Sequence, residues 1–183
     1  SGYQSDEPGK VRILTAREIN GNAKENWLDF MAPVRIEEPV DRLLINAGKT
    51  RYWVEAKKIT SNSIVDGVFK DLTVTGSQLE ILHGKKQVTI GKDCKLSQPG
   101  ELLKAMRCRW NWESGAVQAT GDVVLKRDEL KQETRAQQLS GITTDDGRVV
   151  FSSPNDQVRT QLEFKNQDSP TSPQSSSGPP VQF

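Results

Sequence analysis

The sequence predicts an antiparallel all-β domain, a sheet folded over on itself into an open sandwich. Three observations carry that expectation. Apolar and polar residues alternate with period two through most of the chain. Turn-forming dipeptides separate many of the alternating runs. The chain is also lean: 34% of its residues are hydrophobic, 6% are aromatic and mean hydropathy is -0.63. So few apolar residues suit a sheet, whose strands each need only one apolar face, better than a compact sphere.

Taken in order, residues 1–10 (SGYQSDEPGK) hold little to bury and read as a flexible segment. No initiator Met precedes them, which suggests a trimmed N-terminus. Strand candidates then follow from Val11 to Phe164: Val11–Thr15, Val34–Glu38, Leu43–Asn46, Arg51–Lys57, Gly67–Val74 and Leu79–Leu82. In QVTIGKDCKL, Val88, Ile90, Cys94 and Leu96 share parity. In AMRCRWNWE, Met106, Cys108, Trp110 and Trp112 oppose Arg107, Arg109 and Asn111. Gln118–Lys126, Glu133–Leu139 and Val149–Ser152 continue the pattern, and in VRTQLEF the residues Val158, Thr160, Leu162 and Phe164 fall on one face. Turns are expected at Asn20-Gly21-Asn22, Asn46-Ala47-Gly48-Lys49, His83-Gly84-Lys85, Ser114-Gly115 and Asp145-Asp146-Gly147. Leu-Leu-x-x-Met in SQPGELLKAM offers one helical turn, but Pro99-Gly100 suits the two central positions of a type II turn and is preferred. Residues 165–183, rich in Ser, Pro, Gln and Gly, read as a disordered tail.

A loose internal recurrence runs through the domain. Ala16, Ala56, Ala105 and Ala136 each precede an apolar strand: Val34–Ile36, Leu72–Val74, Val123–Leu125 and Val149–Phe151. Strands that zigzag between two half-sheets would produce it, with apolar side chains facing one interior.

The residues that carry chemistry are sparse. His83 is the one histidine and sits in a turn without an evident partner. Cys94 and Cys108 lack metal-ligand spacing, so neither a metal nor another cofactor is expected. No phosphate loop or nucleophile elbow occurs, and the acidic pairs Glu37-Glu38 and Asp145-Asp146 fall at strand ends or turns. The expectation is a non-enzyme. Lysines and arginines number 25 against 24 acidic residues, interspersed, so no nucleic-acid partner is expected. No apolar run approaches the roughly 18 residues that span a bilayer.

The cysteines leave two readings open. A two-residue turn at Pro99-Gly100 pairs Cys94 with Ala105, three residues out of register with Cys108. A longer loop sets Cys94 opposite Cys108. A disulfide and two buried free thiols are therefore both compatible with the spacing, and a disulfide would imply an oxidising compartment.

Leu103 to Pro154 resembles the repeat of the lipopolysaccharide-export LptC/LptA (OstA-like) family. The shared pattern is a strand with alanine near its start, a turn, and A-x-G-D-V-x-L, here Ala119, Gly121, Asp122, Val123 and Leu125. A Thr-x-Ala strand follows at Thr134 and Ala136, then a turn and another apolar strand. Ala56 to Val74 matches more weakly. The resemblance implies a twisted open β-jellyroll over residues 11–164, whose apolar groove shields lipopolysaccharide acyl chains. It implies a periplasmic protein of one of two types: LptC, held at the inner membrane by one N-terminal helix, or LptA, which is soluble. The trimmed N-terminus favours the LptC type, whose helix is absent from this chain. Its partners would be an LptA-like jellyroll protein and the inner-membrane ABC exporter, joined edge to edge.

Under that resemblance, Trp110, Trp112, Val123, Leu125, Val149 and Phe151 are the groove-facing candidates, although they would also serve as plain core. Val158, Thr160, Leu162 and Phe164 form the candidate edge for a docking partner, with Val11–Thr15, or the next strand in, at the opposite edge. A carbohydrate-binding or structural β-sandwich of the cell surface is the competing class. It would require aromatics on a solvent face, which makes the positions of Trp27, Trp53, Trp110 and Trp112 decisive.

Overall fold

A computed structural model describes residues 2–3, 11–15, 17–152 and 159–162. The terminal segments expected at 1–10 and 165–183 lie outside the described residues, apart from Gly2–Tyr3. The chain forms one antiparallel sheet of strands that pass back and forth between two halves. β1 (Gly2–Tyr3) and β2 (Arg12–Thr15) belong to the first half-sheet, and β3 (Ile19–Asn22) and β4 (Trp27–Phe30) to the second. β5 (Val34–Glu38) and β6 (Leu43–Ala47) return to the first, and β7 (Thr50–Trp53) and β8 (Lys58–Ser61) to the second. β9 (Val65–Phe69) lies in the first. β10 (Leu72–Leu82) and β11 (Gln87–Gln98) are long enough to serve both. β12 (Glu101–Ala105) and β13 (Arg107–Asn111) split the same path in two. β14 (Ala116–Arg127) and β15 (Gln132–Thr143) again span both halves, and β16 (Val149–Ser152) and β17 (Arg159–Leu162) end on the second and first.

The zigzag has a local cause at each end. Where the long strands cross, their ladders slip: between Thr75 and Ser77 in β10, and between Thr120 and Val123 in β14. Such bulges bend a strand sharply. Gly121 (φ 84) and Asp122 (φ 46) take left-handed conformations there, the first of which only glycine adopts without cost. At the outer tips, hairpins close on four-residue turns. The N–H of Arg42, Lys57, Lys86 and Lys131 each bonds the carbonyl three residues earlier, at 3.1 to 3.3 Å. All four residues are left-handed, with φ between 46 and 58. Asn26, Lys57 and Lys86 mark successive turns of the second half-sheet, about 30 residues apart, a truer period than the alanine recurrence.

Several local expectations are corrected. Asn20–Asn22 is strand, and the turn comes at 23–26, where the Asn22 side chain accepts from the N–H groups of Lys24 (3.0 Å) and Glu25 (3.1 Å). The run Arg51–Lys57 stops at Trp53, because Val54 opens a turn. Gly67–Val74 is a hairpin rather than one strand, reversing at left-handed Lys70 (φ 55). The Leu-Leu-x-x-Met segment is strand β12. Met106 leaves the apolar stripe: it sits at the crossing, 59% exposed, its N–H bonded to Gly121 O at 2.9 Å. The preferred turn at Pro99-Gly100 is present, with Gly100 at φ 79 as a type II turn requires.

The inward faces of the two half-sheets enclose one apolar core. Ile13, Ile36, Ile45, Phe69, Leu72 and Leu103 come from the first half, and Phe30, Ile59, Ile81, Ile90, Trp110 and Trp112 from the second. Beside the crease, Cys94 and Cys108 form a buried disulfide with Cα atoms 5.9 Å apart. The tight turn holds as well, with Cys94 paired to Ala105. The two coexist because the chain folds between Gly91 and Asp93: Cys94 lies on the first half-sheet, Cys108 pairs with Ile90 on the second, and the bridge crosses the fold.

Candidate functional site

The side of the sandwich opposite the crease, where the hairpin tips meet, is held by polar contacts. Gln98, 6% exposed at the end of β11, works like a short piece of strand. Its Nε2 donates to Val149 O at 2.7 Å, and its Oε1 accepts from Val149 N at 2.8 Å. Nε2 also donates to Glu101 Oε1 at 2.6 Å. Glu101 binds Arg127 at 2.7 Å and lies 3.8 Å from Arg148. The loop after β15 extends this clasp, with Asp71 N donating to Gly147 O at 3.4 Å. Farther along the tips, Lys86 is held above its ordinary pKa, chiefly by its hydrogen bond to Glu113 and then by Asp41 and Glu38 across the mouth.

Between crease and clasp, the groove expected to be open is closed. Trp110, Trp112, Val123 and Val149 are each 1% exposed, Leu125 is 2% and Phe151 7%. All belong to the shared core, because side chains of both half-sheets interdigitate there. A recess bounded by Leu43, Ile45, Val65, Val74, Ile90 and Trp110 holds about 10 Å³, no more than one water needs. The indole N–H groups of Trp110 and Trp112 are buried without an acceptor among the described residues. Of the docking-edge candidates, Val158 and Phe164 lie outside the described residues. Thr160 and Leu162 stand in β17, registered against Thr134 and Gln132 of β15.

A second site, missed by the pattern reading because Trp27 sits in an unassigned strand, lies on the solvent face of the second half-sheet. Register sets Trp27 opposite Trp53, and Asp29 opposite Arg51. The inward neighbours Phe30 and Tyr52 are buried, so alternation turns these four residues outward. The Arg51 guanidinium lies 3.7 Å from the Trp27 ring centroid and 5.4 Å from that of Trp53. It donates twice to Asp29, at 2.7 and 3.0 Å, and Lys49 approaches the same carboxylate at 3.4 Å. The Arg51 hydrogen bonds outweigh burial and hold the Asp29 carboxyl below the usual carboxylate range. Beside them opens a polar recess of about 360 Å³, completed by Thr60, Ser61, Asn62 and Ser63. His83, expected to stand alone in its turn, has its Nε2 3.2 Å from Tyr52 Oη. No group of His, Cys, Asp and Glu arranged to hold a metal occurs among the described residues.

No family model and no curated protein matches this chain. Among solved structures it is similar to LptH, the LptA homologous periplasmic component of the conserved lipopolysaccharide transport device from Pseudomonas aeruginosa. That likeness covers 79% of this chain and 95% of the other, at 10% identity and a TM-score of 0.48. It is too distant to fix a role.

Proposed function

We propose that this chain is a non-enzymatic periplasmic component of lipopolysaccharide transport, which shelters acyl chains between its two half-sheets. One observation carries the reading: a continuous apolar interior, bridged covalently beside its crease and held at its mouth by side-chain hydrogen bonds and ion pairs. Polar interactions of that kind contribute about 1 kcal/mol each. Acyl surface transferred from water into the interior gains roughly 25 cal/mol per Å². A few tens of Å² of acyl surface therefore offset each hydrogen bond or ion pair that breaks when the tips part. Trp110, Trp112, Val123, Leu125, Val149 and Phe151 would then pack against lipid instead of against one another.

The disulfide suits an oxidising compartment such as the periplasm. The sequence resemblance supports the substrate, and also the partners: an LptA-like jellyroll protein at the β17 edge and the inner-membrane exporter at the opposite edge. Unpaired backbone groups on a terminal strand accept a partner strand by continuing the ladder. An N-terminal helix preceding this sequence would hold the protein at the inner membrane.

The test is native mass spectrometry of the folded protein incubated with lipopolysaccharide. The expected result is a one-to-one complex that deacylated lipopolysaccharide does not displace, and faster uptake by Gln98→Ala. Failure of both wild type and Gln98→Ala to retain lipopolysaccharide while folded would refute the carrier role.

A further inference from the structure

The solvent-facing tryptophan site has the makings of a ligand site that the apolar interior leaves unexplained. A cross-strand Trp27–Trp53 pair stands beside the recess, and Trp53 forms one of its walls. The remaining lining is polar: Asp29, Lys49, Arg51, Thr60, Ser61, Asn62 and Ser63. Within it, Ser61 Oγ is engaged by Lys49 O and Ser63 Oγ, each at 2.8 Å. Thr60 and the exposed Asn62 amide make no side-chain hydrogen bond among the described residues. An aromatic wall beside free hydroxyl and amide groups fits a sugar ring, which offers C–H bonds on its face and hydroxyls around its rim. It fits neither an acyl chain nor a bare ion.

Charge narrows the class. Asp29 is shared by two cations, Arg51 and Lys49, so the lining carries one positive charge in excess. Lys49 holds its share loosely, at 3.4 Å with a side chain 60% exposed, and can turn to a ligand. Lys58 adds a further cation, its Nζ 5.6 Å from the Trp53 ring. Arg51 is fixed by its paired bonds to Asp29 and by the Trp27 ring, so it presents a preorganised guanidinium edge.

We propose that this recess binds an anionic saccharide, with the sugar face on Trp53, its carboxylate or phosphate on Lys49, and its hydroxyls on Thr60 and Asn62. The site needs no opening of the core and stands independently of the acyl-chain reading. One probe is tri-galacturonic acid. The other is the deacylated, phosphorylated oligosaccharide released from lipopolysaccharide, and maltotriose is the neutral control. The four tryptophans give an internal reference, because Trp110 and Trp112 are buried away from solvent.

In two-dimensional NMR, the indole N–H resonances of Trp27 and Trp53 should shift on titration with an anionic probe, while those of Trp110 and Trp112 stay. Lys49→Ala, on an exposed side chain, should weaken binding about tenfold without changing the fold. Salt near 1 M, where the Debye length is about 3 Å, should weaken it further. A response to the lipopolysaccharide-derived probe alone identifies a lipid headgroup as the source, and a response to both identifies anionic glycans generally; either supports the site. Equal binding of maltotriose would overturn the charge assignment. No shift of Trp27 or Trp53 with any probe at millimolar concentration would overturn the site itself.

Discussion

The two tryptophan pairs of this protein share a residue type and little else. Trp110 and Trp112 are 1% exposed in the core between the half-sheets, their indole N–H groups without acceptors among the described residues. Trp27 and Trp53 face outward across a strand pair, stacked on Arg51, with the Trp27 indole donating to Glu25 at 2.7 Å. The difference teaches which physics each surface depends on. Inside, area removed from water and close packing dominate. Outside, a ladder of charges and rings orders a polar face, and its contributions are smaller and sensitive to pH and salt.

The largest break in that comparison comes from Trp110→Ala. It removes a side chain packed against both half-sheets and leaves a cavity that a cross-braced sandwich cannot collapse. A loss of about 3–5 kcal/mol in denaturant unfolding is expected. The missing acceptor tempers it, since the indole N–H already carries a desolvation cost that the variant relieves. A loss below about 1 kcal/mol would mean that the interior is loosely packed.

Next comes the bridge beside the crease. Replacing Cys94 and Cys108 together by Ala frees a loop of sequence separation 14, for which chain entropy predicts a loss of about 3 kcal/mol. Thermal unfolding with and without reductant checks it. The double variant should be insensitive to reductant, whereas the wild type loses stability when reduced.

The sequence exposed the inner face far better than the outer one. Period-two alternation finds a strand by its buried side, so β5, β13 and β16 were legible from Val34 and Ile36, Cys108 and Trp110, and Val149 and Phe151. It fails where the inward side is mixed or the strand short. In β4, buried Asp29 and Phe30 are adjacent, because the carboxylate is covered by Arg51 and Lys49 rather than by the core. In β8, Lys58 and Thr60 share an outward face and Ile59 alone joins the apolar core. The outer-face site was legible only through the competing carbohydrate reading, which made the positions of Trp27 and Trp53 decisive; their pairing stayed hidden because Trp27 belonged to an unassigned strand. The disulfide was open for a different reason: local turn geometry placed the cysteines out of register, and only the fold at the crease joins them. The clasp at Gln98 had no sequence signal, because a glutamine that mimics a strand edge looks like any polar residue before a turn.

Asp29→Asn sharpens the outer half of the comparison. The variant keeps the shape and a hydrogen-bond acceptor but removes the charge that Arg51 and Lys49 share, and a loss of about 1–2 kcal/mol is expected. Its pH dependence follows from the lowered carboxyl pKa. A carboxylate whose folded pKa is depressed adds stability above its unfolded pKa, near 3.9, and loses it as the pH falls through the folded value. Wild type and variant should therefore differ at neutral pH and converge in acid. A constant difference down to the acid transition would show that Asp29 contributes by shape alone.

Trp53→Ala is the smallest expected effect and the sharpest contrast with Trp110→Ala. The side chain touches the cations Arg51 (5.4 Å) and Lys58 (5.6 Å) on a solvent face, and its cross-strand partner Trp27 keeps Arg51 at 3.7 Å without it. Cross-strand pairs of this kind contribute roughly 0.2–1 kcal/mol. Its buried indole N–H has no acceptor to lose among the described residues. The midpoint of denaturant unfolding should move only slightly and the slope should stay constant, because the same area is exposed on unfolding. A loss comparable to that of Trp110→Ala would mean that the outer face holds the second half-sheet together. A ring that stands partly exposed on a solvent face, at the wall of a polar recess, is one that a ligand can use.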